Sequence, residues 1–206
     1  MFESPLYWIA DPDLVGERSL VDLCEEAIAA GLRVVQYRDK HRTQRERYHQ
    51  ALALARTARR AKATLIINDN LDLTMAVEAD GVHVGQDDFP VADARRVLGG
   101  RAIIGCSAHT VDQAKAAEAE GADYLGVGPV FASTTKMARP PLGLSGLRDV
   151  CRSVRIPVYA IGGITPERCP EVLGAGAKGV AVASALLSGP IGARTRAFFT
   201  ALRPSA

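Results

Sequence analysis

Short apolar runs alternate with longer helix-like segments eight times along this chain, and this alternation constrains the fold more than any other feature. Each run is rich in β-branched residues and ends in polar groups, which is typical of a buried parallel strand. The predicted strands are Leu6–Ala10, Arg33–Gln36, Leu65–Asn68, Val82–Val84, Ala102–Cys106, Tyr124–Gly128, Val158–Ile161 and Gly179–Ala183.

Helix-period segments lie between these strands and after the last one. Eight β/α units in 206 residues favour a (β/α)8 TIM barrel. The alternative is an open doubly wound sheet, but the Gly-x-Gly-x-x-Gly signature after the first strand is absent. The length suits one domain over residues 1–206 and is too short for two ordinary enzyme domains. The predicted helices are Leu20–Ala30, Gln44–Ala61, Asp72–Ala79, Val91–Leu98, Val111–Glu120, Leu144–Ser153, Pro166–Gly174 and Ile191–Leu202.

Charge and composition exclude several classes of function. The chain has 25 Lys plus Arg and 23 Asp plus Glu, so a net charge of +2 gives no field that would attract nucleic acid or an anionic membrane. We expect Arg42, Arg45 and Arg47 on solvated helix faces. No apolar run approaches the ~20 residues that span a bilayer. The partners expected are small-molecule substrates, with no nucleic acid and no membrane, and the sequence leaves a homo-oligomer open.

The four cysteines show neither a CxxC pair nor metal-ligand spacing. No basic segment followed by an apolar one precedes the first strand, so no secretory signal is predicted. A reduced, cytoplasmic protein is therefore expected.

In a barrel the active site is built at the C-terminal ends of the strands, so the polar residues that follow each run are interpreted as one site. Gln36, Arg38 and Lys40 alternate along one extended strand end, which would direct all three toward one side. The full set is Asp11, Gln36, Arg38, Lys40, Asn68, Asp69, Asp88, Ser107, Ser133 to Lys136, Gly162, Gly163 and Ser184.

Two carboxylates, Asp69 and Asp88, follow neighbouring predicted strands. If strand, helix and strand form one crossover unit, these strand ends lie one strand spacing apart, about 5 Å. Magnesium bound by one or two carboxylates keeps its other positions for water and phosphate oxygens, which is how proteins commonly hold a diphosphate. The alternative is that Asp69 caps the helix that starts near Leu71 and that Asp87 and Asp88 are loop carboxylates.

Two further features point to phosphate binding. The connection from Pro129 to Gly143 is unusually long and carries hydroxyls and one cation, which favours a lid over a linker. The last two strands end in Gly162-Gly163 and Ala183-Ser184, where barrels often bind a phosphate through backbone N–H groups and a short extra helix. A Gly-Gly pair alone can equally form a plain turn.

None of the four histidines is conspicuous as a catalyst. His41 and His49 are expected on the surface, and His83, in the middle of a strand, is expected to be an interior residue with satisfied hydrogen bonds. His109 alone lies near the proposed rim.

Seven motifs follow one another between Leu6 and Leu187. They are Gln36-Tyr37-Arg38-Asp39-Lys40, Ile67-Asn68-Asp69, Ala79 to Asp88, Ile104 to Ser107, Gly126 to Lys136, Ala160 to Ile164 and Val180 to Ser184. Together these stretches resemble the thiamine phosphate synthase family. Tyr37 departs from the Leu that is usual in that family, and Ala132-Ser133 departs from the common Pro-Thr.

The resemblance implies an enzyme that joins an aminopyrimidine-methyl diphosphate to a thiazole phosphate and releases pyrophosphate with the help of one Mg²⁺ ion. It implies that Asp69 and Asp88 bind the metal and that Arg38, Lys40, Ser107 and Lys136 act in catalysis. The implied diphosphate ligands are Gln36, Tyr37, Arg38, Asp39, Lys40, Asn68, Ser107 and Lys136, and the implied thiazole phosphate ligands are Ser133, Thr134, Thr135, Gly163, Ala183 and Ser184.

Two other functions stay open. A thiazole tautomerase would keep the monophosphate site, but it is expected to carry a histidine acid-base near the end of the sixth strand, where this chain has Pro129. A non-catalytic barrel that binds a thiamine precursor is disfavoured only because every charged group of the metal site is present.

Overall fold

Eight parallel strands close into a barrel in the computed structural model, which describes residues 4–132 and 140–203. The strand order follows the chain order, and the last strand pairs with the first. The predicted (β/α)8 barrel is confirmed. The strands are β1 (Leu6–Ala10), β2 (Val34–Tyr37), β3 (Thr64–Asn68), β4 (Gly81–Val84), β5 (Ile103–Ala108), β6 (Tyr124–Val127), β7 (Val158–Ile161) and β8 (Gly179–Val182).

Helices follow every strand and surround the barrel. A capping box begins the second helix, because the Thr43 hydroxyl accepts from the Glu46 N–H at 3.3 Å and the Glu46 carboxylate accepts from the Thr43 N–H at 2.9 Å. Among the described residues, no helix is both long and apolar enough to cross a membrane. The helices are α1 (Leu20–Ala29), α2 (Gln44–Arg60), α3 (Leu71–Ala76), α4 (Val91–Leu98), α5 (Val111–Ala119), α6 (Gly143–Ser153), α7 (Cys169–Gly174) and α8 (Ile191–Ala201), with 3₁₀ turns at Pro12–Leu14, Pro166–Arg168 and Ser184–Leu187.

Some predicted boundaries are wrong, for local reasons. β5 extends past Cys106 because Ser107 and Ala108 pair with β6, so Ser107 lies within the strand and not in the loop after it. α3 ends at Ala76 instead of Ala79, and Glu78 beyond it has φ +52°, outside the helical range.

Successive strand residues point alternately into the barrel and toward the helices, and both faces are buried. A small cluster fills the interior, where the rings of Tyr7, Tyr124 and Tyr159 meet edge to face with centroids 5.8 to 6.1 Å apart. A much larger apolar cluster, which includes Leu6 and Trp8, packs between the strands and the helices.

Gly105 leaves the space that the Tyr124 ring occupies. The two residues are paired neighbours on β5 and β6. A Cβ atom at position 105 would lie 2.2 Å from Cζ and 2.4 Å from the hydroxyl oxygen of Tyr124. The large and the small residue therefore fit the interior only as a pair.

Gly105→Ala should destabilise the barrel by about 1 to 3 kcal/mol or more, because the added methyl group overpacks the interior. Gly100→Ala is the matched control, since a Cβ atom there would meet nothing within 4 Å. Urea unfolding of both variants tests the expectation. Equal unfolding free energies for the two would contradict the packing argument.

Candidate active site

Two ion pairs flank β2 at the C-terminal rim. Arg38 Nη1 contacts Asp11 Oδ2, next to β1, and Lys40 Nζ contacts Asp69 Oδ2, next to β3. The predicted alternation does not continue past Tyr37, where β2 ends, so Arg38 turns toward one neighbouring strand and Lys40 toward the other. Both cations are thus held at the rim by a carboxylate of an adjacent strand.

Asp39, between these two cations, stabilises its own loop. Its Oδ1 accepts from the backbone N–H groups of His41 and Arg42 at 3.1 Å each, and the Tyr37 hydroxyl donates to its Oδ2 at 2.8 Å. Burial opposes ionisation of this carboxyl, but the hydrogen bonds and the Arg42 charge hold its pKa below the ordinary value. Substrate contacts by Asp39 and Tyr37 stay a prediction.

The two carboxylates predicted to bind a metal are neighbours. Burial raises the pKa of Asp69, Lys40 opposes that shift, and the adjacent Asp88 carboxylate adds to it. The alternative that Asp69 caps α3 is wrong, because the N-cap residue is Asn70 and its side chain makes no capping bond. Asp88 does stabilise its loop, since its Oδ2 accepts from the Gly85 N–H at 2.8 Å.

A cavity of about 620 Å³ lies over this carboxylate pair, a size that suits a small ligand. Within residues 4–132 and 140–203, no group of three or more His, Cys, Asp or Glu side chains could hold a metal. Two carboxylates alone would suit an ion that keeps water or ligand oxygens in its other positions. The cavity is lined by Asp39, Lys40, Arg47, Asn68, Asp69, Asn70, Asp87, Asp88, Phe89 and Pro90.

Arg47 is a residue of this cavity that sequence reasoning missed. The expectation of a solvated helix face is wrong for it, because its position near the start of α2 brings it to the cavity wall. Its Nε is buried and has no hydrogen-bond partner among the described residues. With the Asn70 amide oriented so that its oxygen faces Arg47, Nη1 donates to it at 3.2 Å. Nothing in the sequence distinguishes Arg47 from the other arginines of α2.

Gln36 and Ser107 face the barrel interior, just below the rim. Gln36 is 2% exposed, and its Nε2 donates to the Tyr7 hydroxyl. Ser107 Oγ lies 2.9 Å from Nε2 of His83. The prediction that His83 is a hydrogen-bonded interior residue is confirmed, but its link to Ser107 was missed.

The turns after β7 and β8 lie at another part of the rim. Gly162 and Gly163 have φ +98° and +63°. The turn packs on the segment after β6, where the Phe131 N–H donates to the Gly162 carbonyl at 3.1 Å and a Cβ atom at position 163 would lie 2.5 Å from the Ala132 oxygen. A short 3₁₀ turn begins at Ser184, directly after Ala183.

Four predicted site residues, Ser133, Thr134, Thr135 and Lys136, lie outside the described residues, and the lid stays a prediction. His109 lies near the rim as expected, with Nδ1 3.1 Å from the Gly128 carbonyl oxygen.

Parallel barrels that carry cations and a glycine turn at this rim are typical of enzymes that act on small phosphorylated molecules, and the site defines that class here. The family model described as thiamine monophosphate synthase matches residues 6–186. The chain belongs to this family, whose members named thiamine-phosphate synthase are transferases.

Curated relatives agree with this assignment. The thiamine-phosphate synthase of Chloroflexus aurantiacus is 50% identical over 184 residues, which cover 89% of this chain and 85% of the relative. That of Moorella thermoacetica is 45% identical over 183 residues, covering 88% and 87%. The solved structure of thiamine phosphate pyrophosphorylase from Pyrococcus furiosus has a TM-score of 0.86 and 35% identity, and the match covers 96% of this chain and 94% of that one.

Asp39→Asn should lower the free energy of unfolding by about 1 to 3 kcal/mol at neutral pH, because a charged acceptor of three hydrogen bonds is lost. The folded pKa of Asp39 is lowered, so its contribution is present above the unfolded pKa of about 4 and disappears as the pH falls through the folded value. The difference between wild type and variant should therefore shrink in acid.

Denaturant unfolding across this pH range measures the effect, and Asp149→Asn, an exposed carboxyl on α6, is the control. A difference between wild type and Asp39→Asn that stays constant into acid would contradict the assignment.

Proposed function

We propose that this barrel joins an aminopyrimidine-methyl diphosphate to a thiazole phosphate, by loss of pyrophosphate and attack of the thiazole nitrogen, to give thiamine phosphate. The observation that carries the mechanism is the cavity in which Lys40 and Arg47 lie beside the carboxylate pair of Asp69 and Asp88. Cations beside paired carboxylates suit a diphosphate with a divalent metal, whereas a monophosphate alone would not need both.

Asp69 and Asp88 would hold the Mg²⁺ ion. Their fit is supported by their position side by side at the cavity. Burial, with the adjacent Asp88 adding to it, raises the pKa of Asp69, and a bound cation would stabilise its ionised form. When bound, the ion would neutralise charge on the diphosphate oxygens. Lys40, which contacts Asp69, would lie beside the same oxygens.

The side chains at the rim stabilise the leaving group electrostatically. Lys40 and Arg38 are already held by neighbouring carboxylates, so they need little reorganisation as negative charge develops on the departing pyrophosphate. Lys136 would add a further cation. No protein base is required at the nucleophile, because the thiazole nitrogen carries its own lone pair.

The thiazole phosphate would bind at the turns after β7 and β8. The support is the glycine turn after β7, where Gly162 and Gly163 both have positive φ, and the 3₁₀ turn that begins at Ser184 after β8. Ala183 lies between that turn and β8, and Ser133, Thr134 and Thr135 would complete the site.

A tautomerase is the second candidate, but Pro129 directly follows Gly128 after β6, where a histidine acid-base is expected for that reaction. Formation of thiamine phosphate from the two precursors, measured with and without Mg²⁺, distinguishes a synthase from a tautomerase. The same assay distinguishes a synthase from a non-catalytic barrel. A protein that binds both precursors without joining them would refute the synthase mechanism.

Asp69→Asn and Asp88→Asn should each lower turnover about 100-fold or more and raise the Mg²⁺ concentration needed for half-maximal rate, since each removes a charge from the leaving-group site. Steady-state rates over a magnesium titration measure this. Asp112→Asn, an exposed carboxyl on α5 outside the cavity, should behave as wild type. Normal turnover of both variants at limiting Mg²⁺ would mean that the carboxylates serve only the loops.

Arg47→Gln should raise the KM for the pyrimidine diphosphate about tenfold to a hundredfold and leave the KM for the thiazole phosphate unchanged, because one charge-assisted contact to phosphate is lost. Arg45→Gln removes the same charge from an exposed position on α2 and is the matched control. Inhibition by added pyrophosphate gives a second measure. If both variants shift the KM equally, Arg47 acts only through overall charge.

A further inference from the structure

Five polar side chains form one hydrogen-bonded chain beneath the C-terminal rim. Ser107 Oγ lies 2.9 Å from His83 Nε2, and His83 Nδ1 lies 3.1 Å from the Tyr124 hydroxyl. The Tyr124 and Tyr7 hydroxyls are 2.9 Å apart, and Gln36 Nε2 donates to Tyr7. These residues belong to five different strands, so the row of hydrogen bonds crosses the barrel interior from β5 to β2.

The middle of this hydrogen-bonded network, from His83 to Tyr7, is buried away from solvent. Tyr124 is fully buried, Tyr7 is 1% exposed and His83 is 8% exposed. Burial raises the pKa of both phenols far above the ordinary value, so each keeps its proton at neutral pH and acts as a hydrogen-bonding group, not as a base. A buried polar network of this kind fixes its members when all of them are paired.

Packing holds the rings of the chain in place. The His83 ring lies against Gly126, where a Cβ atom would be 3.1 Å from Cε1. The Tyr124 ring fills the space beside Gly105. A serine hydroxyl can otherwise rotate to suit any partner, so the contact with His83 selects one orientation of Ser107.

We propose that His83, Tyr124 and Tyr7 are positioning residues, which hold Ser107 and Gln36 in the orientation that meets the pyrimidine diphosphate. This inference rests on the proposed function, which places Ser107 and Gln36 against that substrate. The three residues act only through their neighbours. Displacement of a substrate-contacting group by about 1 Å can cost on the order of 100-fold in rate, so positioning from below the rim has a measurable effect.

Tyr124→Phe tests the proposal, because it removes one hydroxyl oxygen from the middle of the hydrogen-bonded network and keeps the ring beside Gly105. The variant should lose about tenfold to a hundredfold in kcat/KM for the diphosphate, with the KM for the thiazole phosphate unchanged. Tyr159→Phe is the matched control and should keep wild-type activity. Tyr159 belongs to the same ring cluster, but its hydroxyl donates to the Ser4 carbonyl at 2.9 Å.

A double-mutant cycle separates positioning from general loosening of the barrel. If Tyr124 acts through Ser107, the loss caused by Tyr124→Phe should largely disappear when Ser107 is already Ala. Losses that multiply independently in the double variant would overturn the proposal. So would equal effects of Tyr124→Phe and Tyr159→Phe.

A second pair of variants tests the contact between His83 and Ser107 and leaves Tyr124 unchanged. In His83→Gln the longer amide can reach the position of Nε2 and contact Ser107, whereas in His83→Asn it is too short, so Gln should restore activity that Asn loses. Equal activity of the two would count against the proposal.

Calorimetric titration of the pyrimidine diphosphate into each folded variant measures positioning without turnover. Weaker binding by Tyr124→Phe than by Tyr159→Phe supports the proposal, and equal binding together with equal kcat overturns it. A wild-type protein that binds the diphosphate but makes no product would instead refute the proposed function.

Discussion

Closure of the parallel sheet into a barrel of eight strands is the constraint on which the rest of the structure depends. Every second strand residue must pack into a narrow interior that is open only at its two ends. In this chain three tyrosines occupy much of that interior, and glycines such as Gly105 and Gly126 make room for their rings and for His83. The polar atoms that the tyrosines bring inside must then find hydrogen-bond partners there, because an unpaired buried group costs about 1 to 3 kcal/mol.

The same geometry explains how the charged rim is organised. Because neighbouring strands end at one edge, a carboxylate from each adjacent strand can hold a cation of β2, as Asp11 holds Arg38 and Asp69 holds Lys40. Asp39 stabilises the loop between them. The charges are arranged before any substrate arrives, and the close approach of Asp69 to Asp88 is the kind of unfavourable contact that functional sites keep at some cost in stability.

The barrel could be predicted because its signal is local: each strand and helix shows its own period within a short stretch of sequence. Side-chain partners could not, because they come from distant parts of the chain. Ser107 and His83 are 24 residues apart, and Tyr7 and Tyr124 are 117 residues apart. Arg47 looked like any other helical arginine, since nothing in the sequence shows which face of α2 borders the rim. Asp69 was placed beside Asp88 correctly because both follow adjacent strands.

The fit of Tyr124 over Gly105 also bears on how this barrel can change over evolutionary time. A larger residue at position 105 meets the ring at once, and a smaller residue at position 124 leaves an empty space, so either substitution alone is disfavoured. Homologues should therefore carry substitutions at both positions together or at neither. Drift at this layer of the interior then proceeds by compensated pairs, while exposed helix positions remain free to vary one at a time.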